Sequence, residues 1–225
     1  MTKSPSTPGV RAAARQAAPA TAGRQQSGKQ VRWAIAAVLA VVALVGLFVT
    51  YTKASSPSGG KGAYQVGSPG IGQQAPDFAL AGTGGTVSLS GLRGKTVLLY
   101  FQEGLTCQPC WDQMTSLEKD PAKVKAAGVD QIVSITSDPA DLIAQKTKDM
   151  GLATPVLSDP DLAVSKQYQA TSFGMMGAAR DGHSFVLVGP DGVIRWRADY
   201  GGAPKYTMFV PVDQLLSDLK TGERP

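Results

Sequence analysis

Cys107 and Cys110 are the two cysteines of this 225-residue chain, and the motif Cys107-Gln108-Pro109-Cys110 admits three kinds of chemistry. A structural zinc site needs four ligands, and two cysteines with the single histidine His183 fall short of that number. A structural disulfide suits an oxidising compartment, but a loop this short removes little entropy from the unfolded chain and makes a poor staple. Thiol–disulfide exchange is the third. If the pair opens a helix, the two side chains share one face at about 5–6 Å between Cβ atoms, a gap that small backbone adjustments close. Unpaired N–H groups and the positive dipole end at a helix N-terminus favour a thiolate, the nucleophilic form. Cys107, at the exposed tip, is then expected to attack the substrate, and Cys110, one turn in, to resolve the mixed disulfide. Pro109 pre-sets the dihedral of the first turn and offers no N–H.

The elements such a site requires are legible around it. Thr96–Phe101 (TVLLYF) is an apolar, β-rich run of buried-strand type. Asp112–Ala127 carries helical spacing through Met114, Leu117, Val124 and Ala127, with a break expected at Asp120-Pro121. Asp130–Ile135 predicts the next strand, and Pro139–Met150 a helix with a Ser-Asp-Pro start. A short strand at Pro155–Leu157 and a helix over Asp159–Tyr168 follow. Ser184–Val188 and Gly192–Arg197 flank Gly189-Pro190-Asp191-Gly192, a hairpin signal. Pro211–Leu219 closes the chain as an amphipathic helix. This order implies an α/β fold, a mixed central sheet with helices on both faces.

The rest of the chain is organised by charge. No Asp or Glu precedes Asp77, and the first 53 residues hold seven cations, which leaves −2 for the remainder out of a total of +5. A basic tail can hold nucleic acid, but this one has no aromatic residue before Trp33, and nucleic acid is not an expected partner. Trp33–Val49 is uninterruptedly apolar or Gly, and no charge lies between Arg32 and Lys53. As a helix the run to Tyr51 spans roughly 28 Å, the thickness of a bilayer core. Trp33 and Tyr51 stand where amphipathic rings meet the interface. A cleavable signal peptide is the alternative, but the n-region and apolar core are both long for one. The expectation is therefore a disordered cytoplasmic tail (1–31), a transmembrane signal-anchor helix (32–52), a flexible Gly/Ser/Pro linker (53–70) and one folded domain (71–225). The surplus of cations before the helix places the N-terminus in the cytoplasm and the domain outside a cell membrane crossed once.

Gln74-Ala75-Pro76-Asp77-Phe78, then Gly94–Phe101, Cys-x-x-Cys and Phe185–Gly192 together resemble the AhpC/TSA–redoxin branch of the thioredoxin superfamily. The resemblance covers about residues 71–220. It implies a thioredoxin-like three-layer fold, with no cofactor beyond the Cys107–Cys110 disulfide and no metal. It implies either an extracytoplasmic thiol–disulfide oxidoreductase or a thiol-dependent peroxidase. Peroxiredoxins carry Pro-x-x-x-Thr-x-x-Cys and an Arg shortly before the late strand. Here Gly104 or Cys107 occupies the Thr place according to register, no Pro stands at the required spot, and Arg180 lies five residues ahead of Phe185. Thioredoxins place a cis-Pro before that strand, where this chain has Gly182-His183.

In this fold the start of the late strand faces the dithiol, so His183 is a candidate to tune the thiolate or to supply a metal ligand. Copper-delivering SCO-type proteins are similar in having a Cys pair, a later Asp-His-Ser and a Pro-Asp-Gly hairpin, but they space the cysteines as Cys-x-x-x-Cys. Cu(I) favours thiolate and imidazole, and Met175-Met176 lies nearby in sequence. A copper-binding chaperone is thus the alternative from another class. Glu103 and Asp112 flank the motif as candidates to take the proton that Cys110 must lose. Trp111 is expected to pack beneath the motif or to face substrate. Tyr200, Tyr206 and Phe209 are expected either to form a rim around the site or to be an ordinary packing cluster. The expected function is electron exchange with protein thiols or disulfides, served by an unidentified electron donor or acceptor.

Overall fold

The computed structural model describes residues 28–55 and 64–222, with side chains in the first stretch described over 32–46. The chain divides into two compact units, Met1–Ser55 and Ser56–Pro225. The first contains the helix α1 (Gly28–Ser55), whose side chains from Arg32 to Gly46 are all exposed. Among the described residues no helix is long and apolar enough to cross a membrane. The expected span over 32–52 runs beyond the side chains described. The expected tail, up to Gly28, and residues 56–63 of the expected linker lie outside the described residues.

The second unit is built on seven strands. They are β1 (Ala79–Gly82), β2 (Gly85–Ser88), β3 (Val97–Phe101), β4 (Gln131–Thr136), β5 (Val156–Ser158), β6 (Ser184–Val188) and β7 (Ile194–Asp199), in the order β2-β1-β5-β4-β3-β6-β7. β3, β4 and β5 run parallel, while β6 lies antiparallel beside β3 and β7 antiparallel beside β6. β3 is central and buried along its whole length, which is why its sequence reads as a continuous apolar run rather than an alternation. The helices are α2 (Gln108–Lys119), α3 (Pro121–Ala126), α4 (Ala140–Met150), α5 (Ala163–Gln167) and α6 (Val212–Gly222). Asp120-Pro121 divides α2 from α3, because the proline has no N–H to continue the ladder.

Side chains alternate across the strands into two cores. Leu98, Tyr100, Phe185 and Leu187 meet Trp111, Met114 and Leu117 of α2, Val124 of α3, Ile143 of α4 and Leu215 and Leu219 of α6. Leu99, Phe101, Val133, Ile135 and Val186 meet Val164 of α5, Tyr168, and the segment that holds Ala75, Phe78 and Leu89. A bulge in β7 adjusts the alternation. Leu187 pairs with Trp196 and Val188 with Ile194, leaving Arg195 as the extra residue. Trp196 and Ile194, two apart, therefore serve opposite cores.

Two regions differ from the sequence expectation. The β1–β2 hairpin was not anticipated, since Ala79-Leu80-Ala81-Gly82 has neither β-branched residues nor a period-2 contrast. Residues 64–70, expected in the linker, are bound to the domain. Gln65 bridges Asp199, Gly67 N–H donates to Asp199 Oδ2 at 2.6 Å, and Arg197 Nη1 donates to the Pro69 carbonyl at 3.0 Å. The buried Arg197–Asp199 pair, 2.8 Å apart, anchors this arm. The composition is that of a flexible linker, but Gln65, Gly67 and Pro69 find partners for their backbone polar groups more than a hundred residues away.

Candidate redox site

The turn between β3 and α2 fixes the site, and it depends on one glycine. Gly104 has φ +83°, and a Cβ there would stand 1.7 Å from Asp138 Oδ2 and 2.3 Å from Thr136 Oγ1. The space is filled because Asp138 organises the turn. Its Oδ2 accepts from Leu105 N at 2.6 Å and from Thr136 Oγ1 at 3.0 Å, and its Oδ1 takes Arg180 Nη1 at 2.8 Å. Arg180 Nη1 also donates to the Glu103 carbonyl at 3.1 Å. The Gly104 carbonyl accepts from Cys107 N at 2.9 Å and from Trp111 Nε1 at 3.0 Å. Trp111 thus packs beneath the motif, fully buried, with its indole N–H bracing the turn.

Cys107 and Cys110 form a disulfide with Cα atoms 5.3 Å apart, a separation that needs no backbone distortion. Cys107 is the N-cap of α2 and Pro109 lies in its first turn, so both sulfurs sit at the positive end of the helix. Cys107 is 6% exposed and Cys110 is fully buried. The exposed tip expected for Cys107 is instead a recess, because the turn and the core close around it, yet the order of access is kept.

The strand β6 begins at this same end, Ser184 pairing with Phe101, which brings His183 behind the motif. His183 is fully buried. Its Nδ1 lies 3.0 Å from the Tyr100 hydroxyl, which donates to the Cys110 carbonyl at 3.3 Å. Burial lowers the His183 pKa to about 3, so the imidazole is neutral. Burial, and then the nearby Glu103 carboxylate, push the Tyr100 hydroxyl well above the usual phenol range, so it stays a donor. Tyr100 was not among the sequence candidates, because a tyrosine inside a buried strand reads as core. Among the described residues no three His, Cys, Asp or Glu side chains gather to hold a metal ion.

Glu103, a candidate for proton transfer in the sequence, has a structural role in the turn. It is 3% exposed, and its Oε1 accepts from the backbone N–H groups of Met175 and Met176 at 2.5 and 3.3 Å. It clasps the Gly174–Met176 segment to the active-site turn, leaving the two methionine side chains 59% and 53% exposed. Asp112 is at the surface and accepts from Gln108 Nε2 at 2.8 Å. Tyr200 is buried, its hydroxyl on Asp218 at 2.7 Å, so it is no part of a rim; Tyr206 and Phe209 are exposed. Asp181, missed in the sequence, is fully buried with neither carboxyl oxygen hydrogen-bonded. Burial, with Asp159 and Asp138 nearby, raises its pKa to about 8.

Against known proteins, the family model described as the AhpC/TSA family matches residues 71–197. The chain is 29% identical over 135 residues to peroxiredoxin 2 of Thermoplasma acidophilum, covering 58% of this chain and 66% of that protein. It is 34% identical over 99 residues to the thiol-disulfide oxidoreductase ResA of Halalkalibacterium halodurans, covering 43% of this chain and 55% of that one. The matches therefore span between about half and two thirds of these relatives' length. In fold it is similar to the peroxidoxin BcpB of Mycobacterium tuberculosis, at TM-score 0.57 and 18% identity over 68% of this chain and 97% of that one.

Proposed function

This chain belongs to the AhpC/TSA family, and from that premise we propose that it is a thiol–disulfide oxidoreductase acting on protein cysteines through Cys107 and Cys110. The observation that carries this is the closed Cys107–Cys110 disulfide at the head of α2, with Cys107 6% exposed and Cys110 fully buried. In the reducing direction the Cys107 thiolate attacks a substrate disulfide and expels one substrate thiolate. Cys110, having given up its proton, attacks Cys107 Sγ. The intramolecular disulfide forms, the second substrate thiolate leaves, and two electrons have passed to the substrate. The oxidising direction is the same sequence reversed. The relative ResA is named for this chemistry.

The location we propose rests on sequence. The apolar run Trp33–Val49 and the surplus of cations before it favour a single membrane helix with the domain outside the cytoplasm. Its substrates there are protein thiols or disulfides, and a separate electron donor or acceptor restores the dithiol.

A second reading, thiol-dependent peroxide reduction, is favoured by the peroxiredoxin relative and by Arg180, whose guanidinium reaches the Glu103–Gly104 turn despite its distance in sequence. Against it, the Asp138 carboxylate holds that guanidinium, and Gly104 has no room for the threonine such sites use. The deciding assay uses the full chain in detergent with dithiothreitol as reductant. Insulin reduction that Cys107→Ser abolishes, with peroxide consumed no faster than by dithiothreitol alone, supports the first reading. Cys107-dependent peroxide consumption without insulin reduction replaces it with the second.

A further inference from the structure

The proposed exchange uses the sulfurs, but the structure also anchors the backbone that carries the resolving one. Tyr100 rises from β3 to donate a hydrogen bond to the Cys110 carbonyl, in the first turn of α2. That carbonyl belongs to a helix and already has an intrahelical role, so the tyrosine is an added tie between sheet and helix. Its hydroxyl is held in turn by His183 Nδ1. The ring of Tyr100 stacks on Phe185 at 4.5 Å, and His183 meets both rings edge-on at 5.0 and 5.3 Å. All three side chains are fully buried on strands or strand ends.

One proton arrangement satisfies this set. A hydroxyl has a single proton to give. If Nδ1–H donates to the tyrosine oxygen and the tyrosine donates to Cys110, both donors are used, and Nε2 remains a bare acceptor. The reverse tautomer leaves a buried Nε2–H donor without a partner, since no hydrogen bond reaches Nε2, and an orphaned buried donor is costly. Because the imidazole is neutral, His183 serves as a fixed donor behind Tyr100 and carries no charge to the sulfurs.

Resting on the exchange chemistry above, we propose that Tyr100, oriented by His183, is a positioning residue that holds the Cys110 turn at the separation at which the disulfide closes. In the reduced protein this keeps the Cys110 sulfur at high effective concentration for attack on Cys107. Removing the tie lets the turn relax, slows resolution and makes the disulfide easier to reduce. The dithiol/disulfide equilibrium reads the part of this tie that is stronger with the disulfide closed than open, up to one neutral hydrogen bond, or about threefold to tenfold. At the upper end that is a rise of about 30 mV in reduction potential.

The test compares wild type, Tyr100→Phe, His183→Leu and His183→Asn, the last keeping a donor near Nδ1. Redox titration against glutathione gives the potential, and stopped-flow separates attack by Cys107 from resolution by Cys110. The expected result is a raised potential and resolution slowed about threefold to tenfold in Y100F, with the rate and pH profile of Cys107 attack unchanged. H183L shows a smaller effect of the same sign, H183N restores much of it, and the double variant Y100F/H183L matches Y100F alone. Unchanged potential and resolution in Y100F, or additive effects in the double variant, overturn the proposal. A wild-type protein that exchanges with no disulfide defeats instead the functional reading beneath it.

Discussion

Replacing Glu103 separates a structural clasp from a proton shuttle. Its buried carboxylate accepts two backbone N–H bonds from Met175 and Met176, and hydrogen bonds to charged groups contribute about 1.5–3 kcal/mol each. The second is long and both share one oxygen, so their joint contribution is about 2–4 kcal/mol, the expected cost of Glu103→Ala. Glu103→Gln keeps an acceptor oxygen and loses the charge, which costs about 1 kcal/mol. For a folded unit of this size that lowers Tm by about 2–4 °C, and the alanine variant falls two to four times as far. If the clasp is the whole role of Glu103, insulin reduction by E103Q stays within about threefold of wild type. A proton shuttle at this position instead predicts a loss of about 10²–10⁴ in resolution. A hundredfold loss in E103Q at an unchanged Tm refutes the clasp.

Three further substitutions probe the frame of the site. Gly104→Thr, which installs the residue peroxiredoxins use, places a Cβ against Asp138 and Thr136 at φ +83°. It costs on the order of 3 kcal/mol or more by urea denaturation and creates no peroxide consumption. Asp181→Asn stabilises the protein by on the order of 1–3 kcal/mol at pH 7, because a folded-state pKa of about 8 against 3.8 means that ionising the unfolded chain disfavours folding as pH rises through that window. The gain shrinks toward pH 4, and a pH-independent difference between D181N and wild type sinks the explanation. Arg197→Met strands Asp199 in the core at a cost of about 3–5 kcal/mol and frees residues 64–70, which limited proteolysis reads as new cleavage there; an unchanged digestion pattern contradicts the anchoring of the arm.

Much of the frame was legible because local composition and tertiary role agree. The run TVLLYF is a central strand, Ser184–Val188 is β6 residue for residue, the hairpin at Gly189–Gly192 turns as expected, and the Asp120-Pro121 break falls between α2 and α3. The dithiol was legible for the same reason, a strand–helix junction that its neighbours mark. What stayed hidden depends on partners far along the chain. Glu103 looks like an exposed acid until Met175 and Met176 arrive at its carboxylate. His183 shows no sign in sequence of its buried partner, the Tyr100 hydroxyl 3.0 Å from its Nδ1. Residues 64–70 read as linker because the side chains that hold them, Arg197 and Asp199, lie in β7. Asp181 carries no local mark of burial, and the exposed tip expected for Cys107 is a buried position, 6% exposed against 0% for Cys110.

The central claim, that Cys107 attacks and Cys110 resolves, is tested most directly by trapping. Full-length Cys110→Ser and Cys107→Ser proteins are incubated with a disulfide-bonded protein substrate, quenched in acid and resolved without reductant. The account predicts a stable mixed disulfide through Cys107 in C110S and none in C107S, since Cys110 is fully buried. Equal trapping by C107S, or no adduct with either variant while the wild type still reduces the substrate, contradicts it.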